Sequence, residues 1–326
     1  MATQHYPIFS IMDKCNTYIR DPNLYSKTMR TDKIFFLLLT ALILVGCSNP
    51  KSKSIKVMTW NIWHGGLHGS KANNFKKDTV NTINIYKVVK QEAPDILLMQ
   101  ETYCCGMEIA QQAGYPHSVR ASSNLSIHSK YPIRDTLKVF KPFNAHAVVV
   151  DVDGQELLFV NTWLHYLPDS FEGIKTMTPD SLIANEGPTR LKEITTIISA
   201  VDSLEKSLKI PVIMGGDFNS PSHQDWVEST KEFHYGKLVT WPVSMLMLER
   251  GYTDSFREAH PNPTQTLEGT WGYLSPRDII SDRIDFVYYK GHNLKTLSSK
   301  IVMEDPEGGF FNSDHRAVLT KFELKY

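Results

Sequence analysis

The chain has 326 residues, with 35 Lys and Arg balanced by 35 Asp and Glu, 41% apolar and 21% charged side chains. That is room for one large α/β domain or two ordinary ones, with the composition of a globular protein and no signature of disorder. The zero formal charge gives no support to a duplex held through its phosphates, although a sum over the chain does not see a local basic patch.

At the N-terminus, Lys33 precedes the apolar run IFFLLLTALILVG at 34–46, which leads into Cys47-Ser48-Asn49-Pro50. Thirteen residues fall short of the roughly 20 that span a bilayer as a helix. A charged start, a short apolar core and a small-residue exit match a secretory signal instead. LVGC at 44–47 resembles a bacterial lipobox, whose cysteine becomes the lipidated first residue of the mature chain. Met29-Arg30 would open such a signal. Residues 1–46 are therefore read as an unused upstream segment plus a lipoprotein signal peptide, and 47–54 as the lipidated Cys47 with a short polar linker. The expected location is the bacterial cell envelope, at the outer membrane or its periplasmic face, with the lipid as the only membrane attachment. The removed segment holds five basic and three acidic residues, so the mature chain keeps a slight excess of acid. Its other cysteines, Cys104 and Cys105, are neighbours, a spacing poorly matched to the separations a disulfide prefers; two small buried hydrophobes are expected.

From residue 55 one domain is expected to run to 326. IKVMTWNI (55–62) alternates apolar and polar residues and predicts a strand. Val80, Ile83 and Val88 lie near helical spacing, and Pro94 ends that helix. DILLMQE (95–101) is a short buried run closing on an acid. VVVDVDGQELLFVNTWLH (148–165) predicts a hairpin turning at Asp153-Gly154. Leu191, Ile194, Ile198, Val201 and Leu204 share one face of a second long helix. IPVIMGGDFN, RIDFVYY (283–289) and SDHRAVLTKFEL (313–324) supply the remaining strands. Hairpins together with two long helices indicate antiparallel-rich sheets covered by helices.

At least four of these runs end in polar residues suited to metal or phosphate chemistry: Asn61, Glu101, His165, and Asp217 with Asn219. RIDF adds Asp285, and SDHR sets Asp314 beside His315. Each alone has a plain explanation as a turn or helix cap. Together they match phosphate ester cleavage. Hard oxygen ligands with few cysteines favour Mg²⁺, with Mn²⁺ as the alternative. The reaction needs a cation on the phosphoryl oxygens, a positioned water and donors aimed at developing charge. The glycines of IMGGDFN would let substrate or metal approach the backbone.

The order and content of WNIWHGG, PDILLMQE, NTWLH, GGDFNSPS, YTDSFR, RIDFVYY and SDHRAV resemble the endonuclease/exonuclease/phosphatase superfamily of deoxyribonuclease-like, metal-dependent phosphoesterases. The resemblance spans 55–320 and implies an α/β fold, a four-layered sandwich of two packed mixed sheets flanked by helices. It implies a metal site at Asn61, Glu101 and Asp314. It also implies catalytic roles for Asp217 and Asn219 on the water and phosphate, and for His315 oriented by Asp285. The family's usual NTHL reads NTWL here, with Trp163 at the histidine position. His165, two residues on and expected on the same strand face, is the candidate replacement.

His64, Trp163 and Asp254 form the expected substrate-binding set. Two inserts, 166–187 and 223–251, are expected as recognition loops. His223, Trp226, His234 and Trp241 would be further pocket residues, with ordinary packing as the plainer reading of each. The expected partner is a phosphorylated small molecule or lipid headgroup, bound by a monomer. A secreted nuclease and an inactive binding protein on the same scaffold are the alternatives.

Overall fold

The computed structural model describes residues 52–66, 79–273, 279–303 and 313–326. The expectations for the signal, Cys47 and the first part of the linker lie outside them. In chain order the elements begin with β1 (Ser52–Asn61), α1 (Thr79–Glu92), β2 (Ile96–Gln100), α2 (Gly106–Gln112), β3 (His117–Arg120), β4 (Ser126–Ser129) and β5 (Ile133–Leu137). The hairpin β6 (Ala145–Val152) and β7 (Gln155–Trp163) follows, then α3 (Pro179–Glu186), α4 (Lys192–Leu208) and β8 (Val212–Asp217). The last third holds α5 (Pro242–Glu249), β9 (Thr253–Asp254), α6 (Ser255–Ala259), β10 (Asp285–Lys290), β11 (Leu294–Val302) and β12 (Ala317–Lys325).

Two six-stranded sheets result, ordered β11-β12-β1-β2-β4-β3 and β5-β6-β7-β8-β10-β9. Both are mixed: β1 runs parallel to β2 and β7 parallel to β8, and the other pairs are antiparallel. The sheets face one another across an apolar layer that includes Ile55, Val57 and Leu98 from one and Val150, Phe159 and Ile213 from the other. The outer face of the first sheet is covered by Val88, Val89 and Ile109 of α1 and α2. That of the second is covered by Ile194, Ile198 and Val201 of α4 with Val243 and Met247 of α5. The molecule is the four-layered α/β sandwich.

Period-two alternation sorts each strand between these layers. On β1, Ile55 and Val57 face the partner sheet, whereas Met58 and Trp60 face the helices. Both faces are covered, so β1 is buried without a break from Val57 to Asn61. It also begins earlier than the sequence indicates. Ser52–Ser54, assigned to the linker, pair with Glu323–Lys325 of β12, because main-chain ladder bonds do not depend on side-chain polarity. At Asp153-Gly154 both φ angles are positive, +54° and +92°, as the tight two-residue turn demands.

The two inserts are not open loops. They fold into α3 and α5 around a satellite core containing Phe171, Leu182, Trp226, Val239 and Trp241. Trp226 and Trp241 are buried there with His234 stacked on Trp226, and His223 is bonded to Ser244, so none of the four lines the cavity bordered by Asp217 and His315.

Candidate active site

Alternation decides which strand residues meet. Asn61 on β1 and Asp217 on β8 have the parity of the residues that face the opposite sheet, and both strands end there. β10 runs antiparallel to β8 with Asp285 opposite Asp217, so its first residue arrives at the same place. Glu101 directly follows β2, in the left-handed region at φ +53°. Trp163 closes β7 opposite Asp217. Beneath them, Gln100 donates from Nε2 to Thr59 Oγ1 at 3.0 Å and to Asn161 Oδ1 at 2.6 Å. Asn161 in turn donates to the Met99 and Ser126 carbonyls at 2.9 Å, tying the sheets together below the site.

The glycines before Asp217 serve this closeness, not ligand access. A Cβ on Gly215 would lie 2.8 Å from Leu98 Cδ1 and 3.3 Å from Thr59 Cβ on the facing sheet. One on Gly216 would lie 1.9 Å from the Thr162 carbonyl oxygen of neighbouring β7. The sequence expectation that they admit substrate or metal is thereby corrected.

Asn61 is the hub. Its Nδ2 donates to Glu101 Oε1 at 3.1 Å and Asp217 Oδ2 at 3.0 Å, and its Oδ1 accepts from Trp63 N at 3.0 Å. His315 Nδ1 donates to Asp285 Oδ2 at 2.9 Å, and its Nε2 stands 3.8 Å from Asp217 Oδ2. Burial alone would lower the His315 pKa. Asp285, Asp217 and Asp314 outweigh it and raise the pKa well above the ordinary value. Burial, reinforced by Asp285, raises the Asp217 carboxyl; the His315 charge and the Asn61 and Asn219 hydrogen bonds pull it back. Asn219 N donates to Asp217 Oδ1 at 2.9 Å, and Asn219 Nδ2 donates to the Leu164 carbonyl at 2.8 Å and to Asp217 Oδ2 at 3.2 Å. Asn219 therefore braces Asp217 directly. Ser313 Oγ donates to the Asn61 carbonyl at 2.7 Å and accepts from His315 N at 3.0 Å, which anchors the SDH turn.

These residues border a cavity of about 380 Å³, within the size range of small-ligand sites. His64, Glu101, Trp163, Asp217, Asn219, Asp314 and His315 line it; Asn61 and Asp285 lie directly behind that lining. Tyr103, Tyr166, Asp169, Phe171, Trp271 and Ile284 complete it; Tyr166, Asp169 and Phe171 belong to the 166–187 insert expected to carry recognition, though none of the six is a candidate residue of the sequence analysis. The available signal was position. Tyr166, Asp169 and Phe171 stand within ten residues after NTWLH, and Trp271 bridges to His315.

Two expected site residues are elsewhere. β7 ends at Trp163, so His165 does not share a strand face with it. The main chain turns as Leu164 N bonds to the Asp217 carbonyl at 3.0 Å. His165 Nδ1 accepts from Leu167 N at 3.0 Å and its ring stacks on Tyr166, 5.3 Å between centroids, outside the cavity lining. Asp254 is buried behind the second sheet. It caps α6 through Phe256 N and Arg257 N and accepts from Arg283 Nη2 at 2.8 Å. The cysteine expectation is also corrected. Cys104 and Cys105 form a disulfide across a Cα separation of 3.8 Å. The turn that folds Cys105 N and Gly106 N onto the Thr102 carbonyl brings the adjacent side chains together.

A group of Asp217, Asp285 and His315 has ligand atoms within 4.8 Å of one another. Its histidine faces Asp285 through Nδ1 at 2.9 Å, and the neighbouring carboxylates raise its pKa against the effect of burial, which suits an ion pair better than a set of metal donors. Hard oxygens suited to a divalent cation stand beside it. Asp314 Oδ1 is buried without a hydrogen-bond partner, and the Glu101 charge acts on the same carboxyl.

Comparison with known proteins agrees with this architecture. A worm protein, the uncharacterized F14F9.5 of Caenorhabditis elegans, is 27% identical over 285 residues, covering 79% of this chain and 85% of that one. Among solved structures, an endonuclease/exonuclease/phosphatase from Beutenbergia cavernae superposes with a TM-score of 0.56 at 18% identity, covering 84% of this chain and 72% of its own. An AP endonuclease from Archaeoglobus fulgidus gives 0.55 at 17%, covering 82% and 98%. At these identities the structures establish a shared fold. The model of the Endonuclease/Exonuclease/phosphatase family matches residues 58–315, most of the chain including every strand-end residue of the site, and the chain belongs to that family.

Proposed function

We propose that this protein is a divalent-metal-dependent hydrolase of phosphate esters, anchored by lipid at Cys47 in the bacterial cell envelope and acting on a phosphorylated small molecule or lipid headgroup. Family members hydrolyse phosphodiester bonds. The observation that carries the reading is the buried chain Glu101–Asn61–Asp217–His315–Asp285, which opens on a small cavity from five different strand ends. Glu101 and Asp314, with the Asn61 amide beside them, would hold Mg²⁺ or Mn²⁺. The cation would neutralise phosphoryl oxygens as charge builds in the transition state. Asp217, oriented by Asn61 and Asn219, accepts the proton of the attacking water. His315, kept charged by Asp285, donates a hydrogen bond to a phosphoryl oxygen.

The lining argues against nucleic acid as the favoured substrate. Among the described residues around the cavity there is no Lys or Arg to follow a polyanionic backbone. Hydrolysis of a chromogenic phosphodiester should require an added divalent cation and stop on chelation, while plasmid DNA stays intact. Inactivity toward every phosphate mono- and diester, with cation bound, would leave the chain a binding protein.

A further inference from the structure

We propose that the Cys104–Cys105 disulfide is a redox site that takes a dithiol as its reactant and sets how firmly the turn carrying Glu101 is held, a regulation of the site that rests on the phosphoesterase reading above. The pair follows Glu101 and the cavity-lining Tyr103 and joins them to α2. A disulfide between chain neighbours encloses almost no loop, so it adds little stability by constraining the unfolded chain. Its effect is local: the ring closed through the Cys104–Cys105 peptide bond limits the backbone of both residues. That backbone needs holding. Glu101 and Tyr103 are both left-handed, at φ +53° and +36°, a conformation that non-glycine residues keep only where the surroundings over-determine it. The disulfide also braces the turn at 63–66. Cys104 Sγ packs against Gly65, where a Cβ would lie 3.4 Å from the sulfur, and Gly65 N donates to the Glu101 carbonyl at 2.5 Å. In the same turn His64 N donates to Glu101 Oε2 at 3.1 Å, and the His64 ring meets Tyr103 edge-on at 5.5 Å. Opening the disulfide withdraws this support from Glu101 and Tyr103 together.

Access decides the course of the exchange. Cys104 is exposed, whereas Cys105 is buried with Trp60 and Ile109. Exposed disulfides are the ones that thiols reach. A thiolate of the dithiol attacks Cys104 Sγ and forms a mixed disulfide there. The Cys104–Cys105 bond breaks, its electron pair goes to Cys105 Sγ, and that sulfur takes up a proton. The second thiolate of the reactant then attacks its own bound sulfur and releases Cys104 as a thiol. Two electrons and two protons pass to the pair, and the reactant leaves as a disulfide. The oxidised pair, as it stands here, is the form that holds Glu101 in place.

The test compares the full chain, oxidised, with the same chain treated with dithiothreitol and desalted without oxygen. By peptide mass spectrometry, iodoacetamide should label Cys104 and Cys105 only after that treatment. Amide hydrogen exchange across 101–106 should then run several-fold faster and calorimetric Mg²⁺ affinity should fall several-fold, while the melting temperature shows both forms folded. Cys104→Ala, which leaves the buried Cys105 in place, should match the reduced chain and ignore dithiothreitol. Labelling before reduction, no labelling after it, or exchange equally slow in both forms overturns the redox site. Faster exchange with Mg²⁺ affinity unchanged overturns its control of the cation site. Absence of Mg²⁺ binding from both forms, with exchange still faster in the reduced one, removes the phosphoesterase reading instead and leaves the redox site standing.

Discussion

Asn219 braces Asp217, two residues before it, through N to Oδ1 at 2.9 Å and Nδ2 to Oδ2 at 3.2 Å, and in the proposed mechanism Asp217 so held aims the attacking water. Asp217→Asn keeps the shape and removes the base. It should lower kcat by roughly 10²-fold or more with little change in KM, read by steady-state kinetics; near-wild-type kcat would reassign Asp217 to a capping role. The pH dependence follows from the same pair. The Asp217 pKa is raised, so the base is unprotonated, and activity rises, only as pH climbs above the ordinary carboxylate range. The His315 pKa is also raised, so its donor proton is kept past the ordinary histidine range and lost at higher pH. The rate profile should be a bell shifted to the alkaline side, and His315→Gln should abolish its descending limb; a bound divalent cation moves both limbs down. Glu101→Gln removes one charge from the cation site. Calorimetric Mg²⁺ affinity should fall about tenfold or more at unchanged melting temperature, and unchanged affinity would take Glu101 out of the site.

Two elements govern how sharply the site is held. Between α3 and α4 the chain forms a π-helical turn, Gly187–Leu191, which places Arg190 where it bonds both the 165–170 segment and Glu186. Glu186 also accepts from Ser220 Oγ at 2.8 Å, one residue beyond Asn219, so one buried pair joins the substrate wall to the GDFN turn. Arg190→Met leaves Glu186 buried without its partner and should destabilise by about 3–5 kcal/mol in denaturant titration. Arg190→Lys keeps the charge but not the fork; it should raise KM several-fold with kcat nearly unchanged, since it loosens the wall and not the base. On β8, Gly216→Ala sets a methyl against the Thr162 carbonyl and should destabilise by about 3 kcal/mol, with a matching fall in melting temperature.

At the scale of the whole molecule, the site sits where strands from both sheets end, above the Gln100–Asn161 link that joins them. No helix among the described residues is long and apolar enough to cross a membrane. On the proposed reading the membrane attachment is the lipid at Cys47. Radiolabelled palmitate should label the wild-type chain in a bacterial host and not Cys47→Ser, which should move to the soluble fraction; equal labelling of both would sink the anchor.

Much of this was legible in the residues themselves. Period-two alternation and apolar runs marked β1, β2, β7, β8 and β10. The polar residues at their ends named Asn61, Glu101, Asp217, Asn219 and Asp285, and the SDH run ahead of β12 named Asp314 and His315, because strand ends are where a buried sheet presents side chains to a cavity. Local pattern could not say which covered face a residue would meet. The packing of insert against sheet made Trp226 and Trp241 core, the salt bridge to Arg283 made Asp254 structural, and the turn after Trp163 carried His165 out of the cavity. Nor could it show that Tyr166, Asp169 and Trp271, 105 positions apart at the extremes, would wall one cavity. Strand identity and chemistry are local properties of a sequence. Contacts across two sheets and their covering helices arise only when non-local packing closes the chain on itself.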